Sequence, residues 1–284
     1  MQLKTAFLSF ALLICPCALC YGQLSFLGVN GERGYSAMRT KYELDLDNNF
    51  IFVPSYEFYR QSDDPDVEKT GSTYRYGLKG AYDFSDRWLG YTGVFWQPWA
   101  VDNEAASVYL GGLWRPFYRL GIIKEPFADI RAAHANRRCR IDSSGARLPD
   151  TYQRDETSLQ VLTGAKVGFI DLEAAWYKVI QYSNPARSDI SFSWADIPFM
   201  TAVVQGSLRQ ATAVQIGIAL DFITPYASVV RYEYAEVSHP AMAVRAGAGI
   251  KWEEVIFAGG VEVFEPRREE ERKTFFSMSI EINF

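Results

Sequence analysis

Every second residue of the stretch 274–284 is apolar. These positions are Phe276, Met278, Ile280, Ile282 and Phe284. The residues between them are mostly polar, and a helix would scatter the same apolar residues around its circumference. Because successive side chains of a β-strand point to opposite faces, the alternation predicts a strand with one apolar face and one mostly polar face.

The same period of two recurs along most of the chain. The predicted strands are residues 38–46, 50–60, 72–84, 88–96, 106–115, 117–124, 157–169, 172–181, 199–208, 214–222, 226–235, 242–252, 255–264 and 274–284. The most strongly alternating of these are about ten to thirteen residues long, whereas strands in globular proteins average five or six residues. Tilted strands of about nine to eleven residues are what crossing a hydrocarbon layer requires. The pattern therefore predicts membrane-spanning strands.

The predicted connections fall into two length classes. The short ones are residues 47–49, 85–87, 115–116 and 170–171. The longer, polar ones are residues 61–71, 98–105, 126–156, 182–198 and 265–273. Short turns at one end and long loops at the other are typical of an outer-membrane barrel. The two classes fall out of step near Leu220, which indicates a missed or surplus strand, near residues 182–198 or before Tyr35.

Residues 1–22 have the pattern of a secretory signal peptide. Lys4 supplies the positive charge, residues 6–14 form the apolar core, and small residues follow. Cleavage after Gly22 and cleavage after Cys20 both fit. The apolar run is too short for a membrane anchor, which needs about 20 apolar residues. We therefore expect export, with residues 23–284 forming one barrel domain.

Composition narrows the class of protein further. Aromatic residues make up 15 % of the chain, which excludes a disordered protein. Mean hydropathy is −0.12 and no second long apolar run follows the N-terminus, which excludes a bundle of membrane helices. The formal net charge of −5 argues against nucleic acid as a partner. Cleavage after Gly22 leaves Cys139 as the only cysteine and so allows no intramolecular disulfide.

On these features the chain resembles bacterial outer-membrane β-barrel proteins. The resemblance rests on the signal peptide, the alternating strands and the last strand, which ends in Phe284. It implies an all-β fold, a closed antiparallel transmembrane barrel of 12–14 strands in the bacterial outer membrane, in contact with outer-membrane lipids and lipopolysaccharide. In that family, a terminal aromatic residue preceded by alternating apolar residues resembles the signal read by the barrel-assembly machinery. The alternative is a secreted β-sandwich, with shorter strands and charged outward faces.

Tryptophans lie near the ends of the predicted strands. They are Trp88, Trp96, Trp99, Trp114, Trp176 and Trp252. Girdles of aromatic residues occupy the two membrane interfaces of a barrel, so this placement favours a membrane protein. The same residues would also suit the core of a sandwich.

No motif for catalysis or metal binding is present in the sequence. The only histidines are His134 and His239, and Ser238, being adjacent to His239, would face the opposite side of a strand. Asp45 and Asp47 fit a strand end and a turn. We find no metal-ligand spacing, nucleophile elbow or phosphate loop. The sequence therefore predicts no enzymatic activity and no cofactor.

The predicted loop 126–156 is rich in arginine. Its central arginines are Arg131, Arg137, Arg138, Arg140 and Arg147, among which Asp142 is the only acid. Inside the barrel, guanidinium groups would narrow the pore and favour anions. Outside it, they would contact the phosphates of lipopolysaccharide. A solvated basic loop with neither role is the third alternative.

Charges of both signs fall on the polar faces of the predicted strands. The residues expected to face the lumen include Arg75, Lys79, Arg231, Glu233, Arg245 and Lys251. Buried charges need partners or water, so either water fills the lumen or the charges pair across a closed interior. We expect a narrow channel that passes small hydrophilic solutes. The alternatives are a closed barrel with a structural or surface-interaction role and a lipid-modifying enzyme.

Overall fold

Fourteen antiparallel strands close into a barrel. The computed structural model describes residues 22–31, 35–46, 49–61, 71–100, 103–141, 147–182, 208–234, 240–265 and 272–284. The strands are β1 (Gly22–Gly31), β2 (Ser36–Leu46), β3 (Phe50–Gln61), β4 (Gly71–Ser85), β5 (Trp88–Ala100), β6 (Asn103–Trp114), β7 (Arg119–Leu120), β8 (Ile123–Ile141), β9 (Arg147–Val167), β10 (Ile170–Tyr182), β11 (Leu208–Ile218), β12 (Ile223–Tyr234), β13 (Ala241–Trp252), β14 (Val255–Glu265) and β15 (Lys273–Asn283).

Pairing of the first strand with the last closes the ring. β1 pairs with β15, β6 pairs with β8, and every other barrel strand pairs with its sequence neighbours. The two-residue β7 pairs only with the start of β8 and is not part of the ring. The predicted all-β, closed antiparallel barrel is confirmed, with the larger of the two strand counts. No helix that is both long and apolar enough to cross a membrane occurs in the described ranges.

Burial alternates along the strands because one face points outward and the other points into the barrel. On β15, Phe276 and Met278 are exposed on the outside, whereas Phe275 and Ser277 are buried inside. Ile282 and Phe284 also belong to the outward, exposed set. Other exposed outward residues are Leu78, Val94, Val108, Leu110, Ile130, Val214, Ile216, Val244 and Ile250. This apolar outer surface is what a lipid environment requires.

The two ends of the barrel differ. The first residue of β1 and the last of β15 share one end with the turns at 86–87, 168–169 and 253–254, and we call it the turn end. Gly168 has a φ of 65°, a left-handed conformation that glycine adopts without steric cost. The opposite end, which we call the loop end, carries the connections 62–70, 183–207 and 266–271, which lie outside the described residues.

The arginine-rich segment 126–156 is part of the barrel wall, so its prediction as a loop is wrong. Most of β8, which has 19 residues, and the first part of β9, which has 21, lie in it, and only residues 142–146 separate them. Its strands carry charged residues on both faces, which hid the period of two. Pro126 lies where the pairing of β8 with β9 shifts register, so its missing N–H does not break the ladder.

The alternation of turns and loops is lost between β10 and β12, where two strands, 199–208 and 214–222, were predicted and β11 alone pairs with both neighbours. Two strands were also missed: β1, which begins at the last residue of the predicted signal segment, and β8, most of which lies in the predicted loop. The predicted strand 117–124 is wrong, because this stretch contains only β7 and the first residues of β8. Of the predicted strand 199–208, only Leu208 is described, and it begins β11. The predicted signal segment lies outside the described residues up to position 21, and Gly22 begins β1.

Candidate functional site

The barrel interior is packed toward the loop end and accessible to solvent toward the turn end. Among the described inward residues, those buried in the loop-end half include Val29, Glu57, Arg75, Gln97, Arg137, Arg154, Glu156, Val179, Tyr232 and Phe275. Those exposed in the turn-end half include Lys41, Asp45, Lys166 and Lys251. A solute entering from the turn end would therefore meet solvated charges first and a packed, charge-rich section after them.

A carboxylate between two arginines occupies the packed section on β2, β3 and β4. Glu57 Oε1 lies 2.7 Å from Arg39 Nε, and Glu57 Oε2 lies 3.1 Å from Arg75 Nη1. The Arg75 guanidinium also stands over the Phe95 ring, 3.9 Å from its centroid. Only 2 % of the Arg75 side chain is exposed. Glu57 therefore balances two positive charges inside the barrel wall.

A second cluster crosses the inner wall from β4 to β9. The Tyr91 hydroxyl donates a 2.5 Å hydrogen bond to Asp129 Oδ1, and Lys79 Nζ lies 4.6 Å from the centroid of the Tyr91 ring. The Arg131 guanidinium stands 5.4 Å from the centroid of the Tyr109 ring and donates to Gln160 Oε1. Cations thus lie over aromatic faces here, an arrangement that favours a charge at a partly desolvated site.

A third cluster joins Arg137, one of the predicted pore arginines, to Arg154 and Glu156, which the sequence pattern did not assign to the lumen. Arg137 on β8 is paired in the ladder with Arg154 on β9, and its Nη2 lies 2.7 Å from Glu156 Oε1. Arg154 is buried to 1 % exposure. The spacing of two between Arg154 and Glu156 was a signal for a shared strand face. This spacing could be interpreted only if residues 147–156 were recognised as part of a strand.

A fourth cluster surrounds Arg245. Its Nη2 lies 3.2 Å from Ser277 Oγ, and its guanidinium stands 4.9 Å from the centroid of the Tyr226 ring. Glu262, which is buried, is the ladder partner of Arg245 on the next strand. The four clusters together place cations around much of the ring, each close to a carboxylate, an amide, a hydroxyl or an aromatic ring.

One sector of the interior is apolar. It lies on β10 to β13 in the loop-end half and consists of Ala175, Tyr177, Val179, Leu208, Ala211, Ala213, Val230, Tyr232, Tyr234, Ala241 and Ala243. Leu162 and Phe264 pack against it from the neighbouring strands. The packed half of the lumen therefore has an apolar side and a side rich in ion pairs.

The structure separates the six residues expected in the lumen. Four of them lie on the inward faces of their strands: Arg75, Lys79, Arg245 and Lys251. The prediction is wrong for Arg231 and Glu233, which face outward and form a 3.0 Å ion pair with each other. The tyrosines of this strand, not its charged residues, determine which of its faces points inward. Tyr232 and Tyr234 are buried inside, which turns the charged residues between and before them to the outer surface.

The structure also divides the five predicted arginines. Arg131 and Arg137 face the interior. Arg138 and Arg140 alternate with them along β8 and face outward, where Arg138 Nη1 lies 3.6 Å from Glu104 Oε2. Arg147 is the first residue of β9, and its side chain is not among those described. A single strand therefore supplies both an inner and an outer set of guanidinium groups.

The outer surface carries aromatic pairs at two levels. Trp88 and Trp114 stack at the turn end, with ring centroids 5.8 Å apart. Tyr76 on β4 and Trp96 on β5 stack nearer the loop end, at 5.9 Å. Trp252 is also exposed at the turn end. Two such levels on an apolar outer face are the girdles typical of a membrane-spanning barrel.

The described residues hold little that suggests catalysis. His134 faces outward, and its Nδ1 lies 3.1 Å from Thr157 Oγ1. His239 and Ser238 lie outside the described residues. Within the described part of the chain, no group of three or more His, Cys, Asp or Glu side chains is arranged to hold a metal ion.

Comparison with known proteins finds no matching family model and no matching curated protein. Many solved structures share the fold. The toluene transporter TodX of Pseudomonas putida is 9 % identical over 96 % of this chain and 92 % of that chain, with a TM-score of 0.50. Pseudomonas putida OprB is 8 % identical over 93 % of this chain and 94 % of that chain, with a TM-score of 0.51. A bacterial polysaccharide outer membrane secretin is 12 % identical over 93 % of this chain and 98 % of that chain, with a TM-score of 0.50.

Proposed function

We propose that this outer-membrane β-barrel is a narrow passive channel for small hydrophilic solutes. One observation carries the proposal. Charged and amide side chains line the inner wall from the turn end to the packed section, whereas the outward positions of the same strands are apolar. Charges inside a protein need partners or water. The buried charges form ion pairs, and the exposed charges at the turn end are solvated. This arrangement suits a polar pore with one narrow section.

The orientation follows from the connections. Outer-membrane barrels have short periplasmic turns and longer extracellular loops. We therefore assign the turn end to the periplasm and the loop end to the outside of the cell. The solvated part of the lumen then faces the periplasm, and the packed section lies toward the exterior.

The class of solute follows from the lining. The barrel fold shared with TodX, a toluene transporter, supports transport as the type of activity. In this chain, the clusters around Glu57, Asp129, Glu156 and Glu262 offer hydrogen bonds and charge, which suit a polar solute and penalise a hydrocarbon. We therefore assign hydrophilic solutes to the channel.

One observation favours a second candidate function. Inward side chains of the loop-end half are buried on most of the described strands. A barrel that stays packed there would conduct nothing, and its role would be structural or would involve contacts at the cell surface.

Conductance of the refolded protein in a planar lipid bilayer separates the two functions. We expect discrete single-channel steps. Replacing Arg131→Gln, on the inner wall, should change their size, whereas the control Arg231→Gln, on the outer face, should not. Folding is checked by heat-modifiable migration in gels. A folded barrel that produces no steps at any voltage would contradict the channel and support the closed barrel.

A further inference from the structure

We propose that the outer face of the β8–β9 hairpin at the loop end is a binding site for a phosphate group of an outer-leaflet lipid, with lipopolysaccharide as the occupant. Arg138 and Arg140 are the phosphate-binding residues. This site is separate from the lumen, and the proposal does not depend on conduction.

A row of paired residues locates the membrane interface near this site. Tyr56, Tyr76 and Trp96 are ladder partners on β3, β4 and β5, and the row continues through Ala106 to Asn136. The three aromatic rings contact one another on the outer face, at centroid distances of 5.5 and 5.9 Å. Aromatic residues of this kind occupy the membrane–water interface.

The two arginines lie beyond that row, toward the loop end. They follow Asn136 by two and four residues, which is about 7 and 13 Å along a strand. Successive ladder partners also lie nearer the loop end from β5 to β8. Trp88 begins β5 at the turn end, yet its row meets β8 at Ala128, five residues after the start of that strand. Both guanidinium groups therefore lie beyond the aromatic row on its loop-end side, outside the hydrocarbon region.

The surface around the arginines changes from apolar to polar along β8. Ile130 and Ala132 face outward in the hydrocarbon region, and His134 and Asn136 follow them. Asn136 Nδ2 donates a 2.5 Å hydrogen bond to Asp155 Oδ1 on β9. The outward face of this hairpin is thus polar beyond Ala132, and Arg138 and Arg140 continue the polar surface toward the loop end.

The geometry of each arginine suits a phosphate. Arg140 Nε donates a 3.0 Å hydrogen bond to Thr151 Oγ1, which orients its guanidinium. The Arg138 side chain is 54 % exposed, and its 3.6 Å distance to Glu104 is longer than a charge-assisted hydrogen bond. A guanidinium has five donors and binds phosphate with two of them at once, so Arg138 has donors for a lipid phosphate.

Two other outward arginines in the described part of the chain have no second arginine at the next outward position. Arg231 forms a 3.0 Å ion pair with Glu233, and Arg272 a 3.4 Å ion pair with Glu265. Arg138 also lies beside a carboxylate, that of Glu104, so the neighbouring carboxylate is not what distinguishes the proposed site. Arg138 and Arg140 instead occupy successive outward positions on one strand, about 7 Å apart, within reach of one phosphorylated headgroup.

Lipid binding by the folded protein in detergent micelles tests the proposal, with native mass spectrometry as the measurement. The probe is diphosphorylated lipid A. We expect the double variant Arg138→Ser, Arg140→Ser to bind it at least about tenfold more weakly than the wild type. The matched control Arg231→Ser should bind as the wild type does. Monophosphorylated lipid A should bind the wild type more weakly, and the double variant should lose most of this preference.

Three outcomes would overturn the proposal: equal affinity of the wild type and the double variant, equal affinity of the wild type for the two lipids, or displacement of lipid A by an equal concentration of inorganic pyrophosphate. The single variant Arg138→Gln, at an exposed position, provides the test if the double variant does not fold. Conductance is measured on the same preparations, so a failure of lipid binding is distinguishable from a failure of the channel.

Discussion

The ring and hydroxyl of Tyr109 occupy the space that a β-carbon on Gly93 would need, and the two residues are partners across β5 and β6. Tyr91 and Gly111 are related in the same way on the same two strands. Glycine in a strand often marks a close approach of this kind. The interior of this sector is therefore filled by tyrosines that pack directly on the backbone.

The Tyr109 contact predicts that Gly93→Ala destabilises the barrel. The added methyl group would collide with the tyrosine and with the Leu78 carbonyl oxygen, at a cost of about 1–3 kcal/mol. The matched control is Gly249→Ala, also on the inner wall, where the nearest atom would be 3.8 Å away. Urea unfolding in lipid vesicles measures both variants. Equal midpoints for the two would argue against the packing described here.

Glu57 should matter more for stability than Arg39, the more exposed of the two arginines it binds. Glu57→Ala leaves the buried Arg75 without its carboxylate and should cost about 3–5 kcal/mol of unfolding free energy. Arg39→Ala should cost less, because Arg39 is partly exposed and Arg75 still pairs with Glu57. The comparison uses the same urea unfolding assay. A larger loss for Arg39→Ala would reverse the order and contradict the central role of Glu57.

Arginine scanning of β13 tests the assignment of faces. Ala246 faces outward in the middle of the strand, so Ala246→Arg should cost about 2–4 kcal/mol near the bilayer midplane. Gly249→Arg should be milder, because position 249 faces the lumen and a β-carbon there would make only ordinary van der Waals contacts. Gly247 is unsuitable as the inward control, since a β-carbon there would collide with the Gly259 carbonyl and the Tyr226 hydroxyl. Equal costs for the first two variants would mean that the faces are misassigned.

The inward arginines should set ion selectivity. Replacing Arg131 and Arg154 by Gln removes two positive charges from the inner wall, so the reversal potential in a KCl gradient should shift toward cation preference. The shift should shrink at high salt, because the Debye length falls from about 10 Å at 0.1 M to about 3 Å at 1 M. The outward Arg231→Gln is the control. A conducting double variant with the wild-type reversal potential would exclude these residues from the pore.

Phe284 should be needed for assembly. Its N–H and carbonyl exchange hydrogen bonds of 3.0 and 2.9 Å with Gly22, and its ring stacks on Tyr42 at 5.8 Å. Deleting Phe284 should lower the amount of folded barrel in the outer membrane. Tyr42→Ala removes the stacking partner but keeps the terminal residue, so it should insert better than the deletion. Normal insertion of the deleted chain, judged by heat-modifiable migration, would rule out an assembly role for this residue.

Period-two alternation was enough to predict the class of fold. In β15 and β13, apolar and polar residues separate onto two faces because one side of a membrane strand contacts lipid and the other does not. The length of these strands indicated a membrane rather than a sandwich. The positions of Arg75, Lys79 and Arg245 on their strands followed from the same period.

The contacts between inward residues of different strands depended on strand register and on closure of the barrel. That Glu57 lies between Arg39 and Arg75, or Arg137 beside Glu156, depends on which residues of separate strands pair, and no local pattern encodes that pairing. The sequence placed Arg231 and Glu233 inside because charge suggested a polar lumen, whereas the packing of Tyr232 set the phase of the strand. Residues 126–156 looked like a loop for a related reason: near the barrel rim both faces of a strand tolerate charge, so the period of two disappears from the sequence while the backbone ladder continues. The sequence by itself thus determined the class of fold and most of its strands and, for most of those strands, which face is apolar. Only the tertiary structure decided which charges meet inside the barrel.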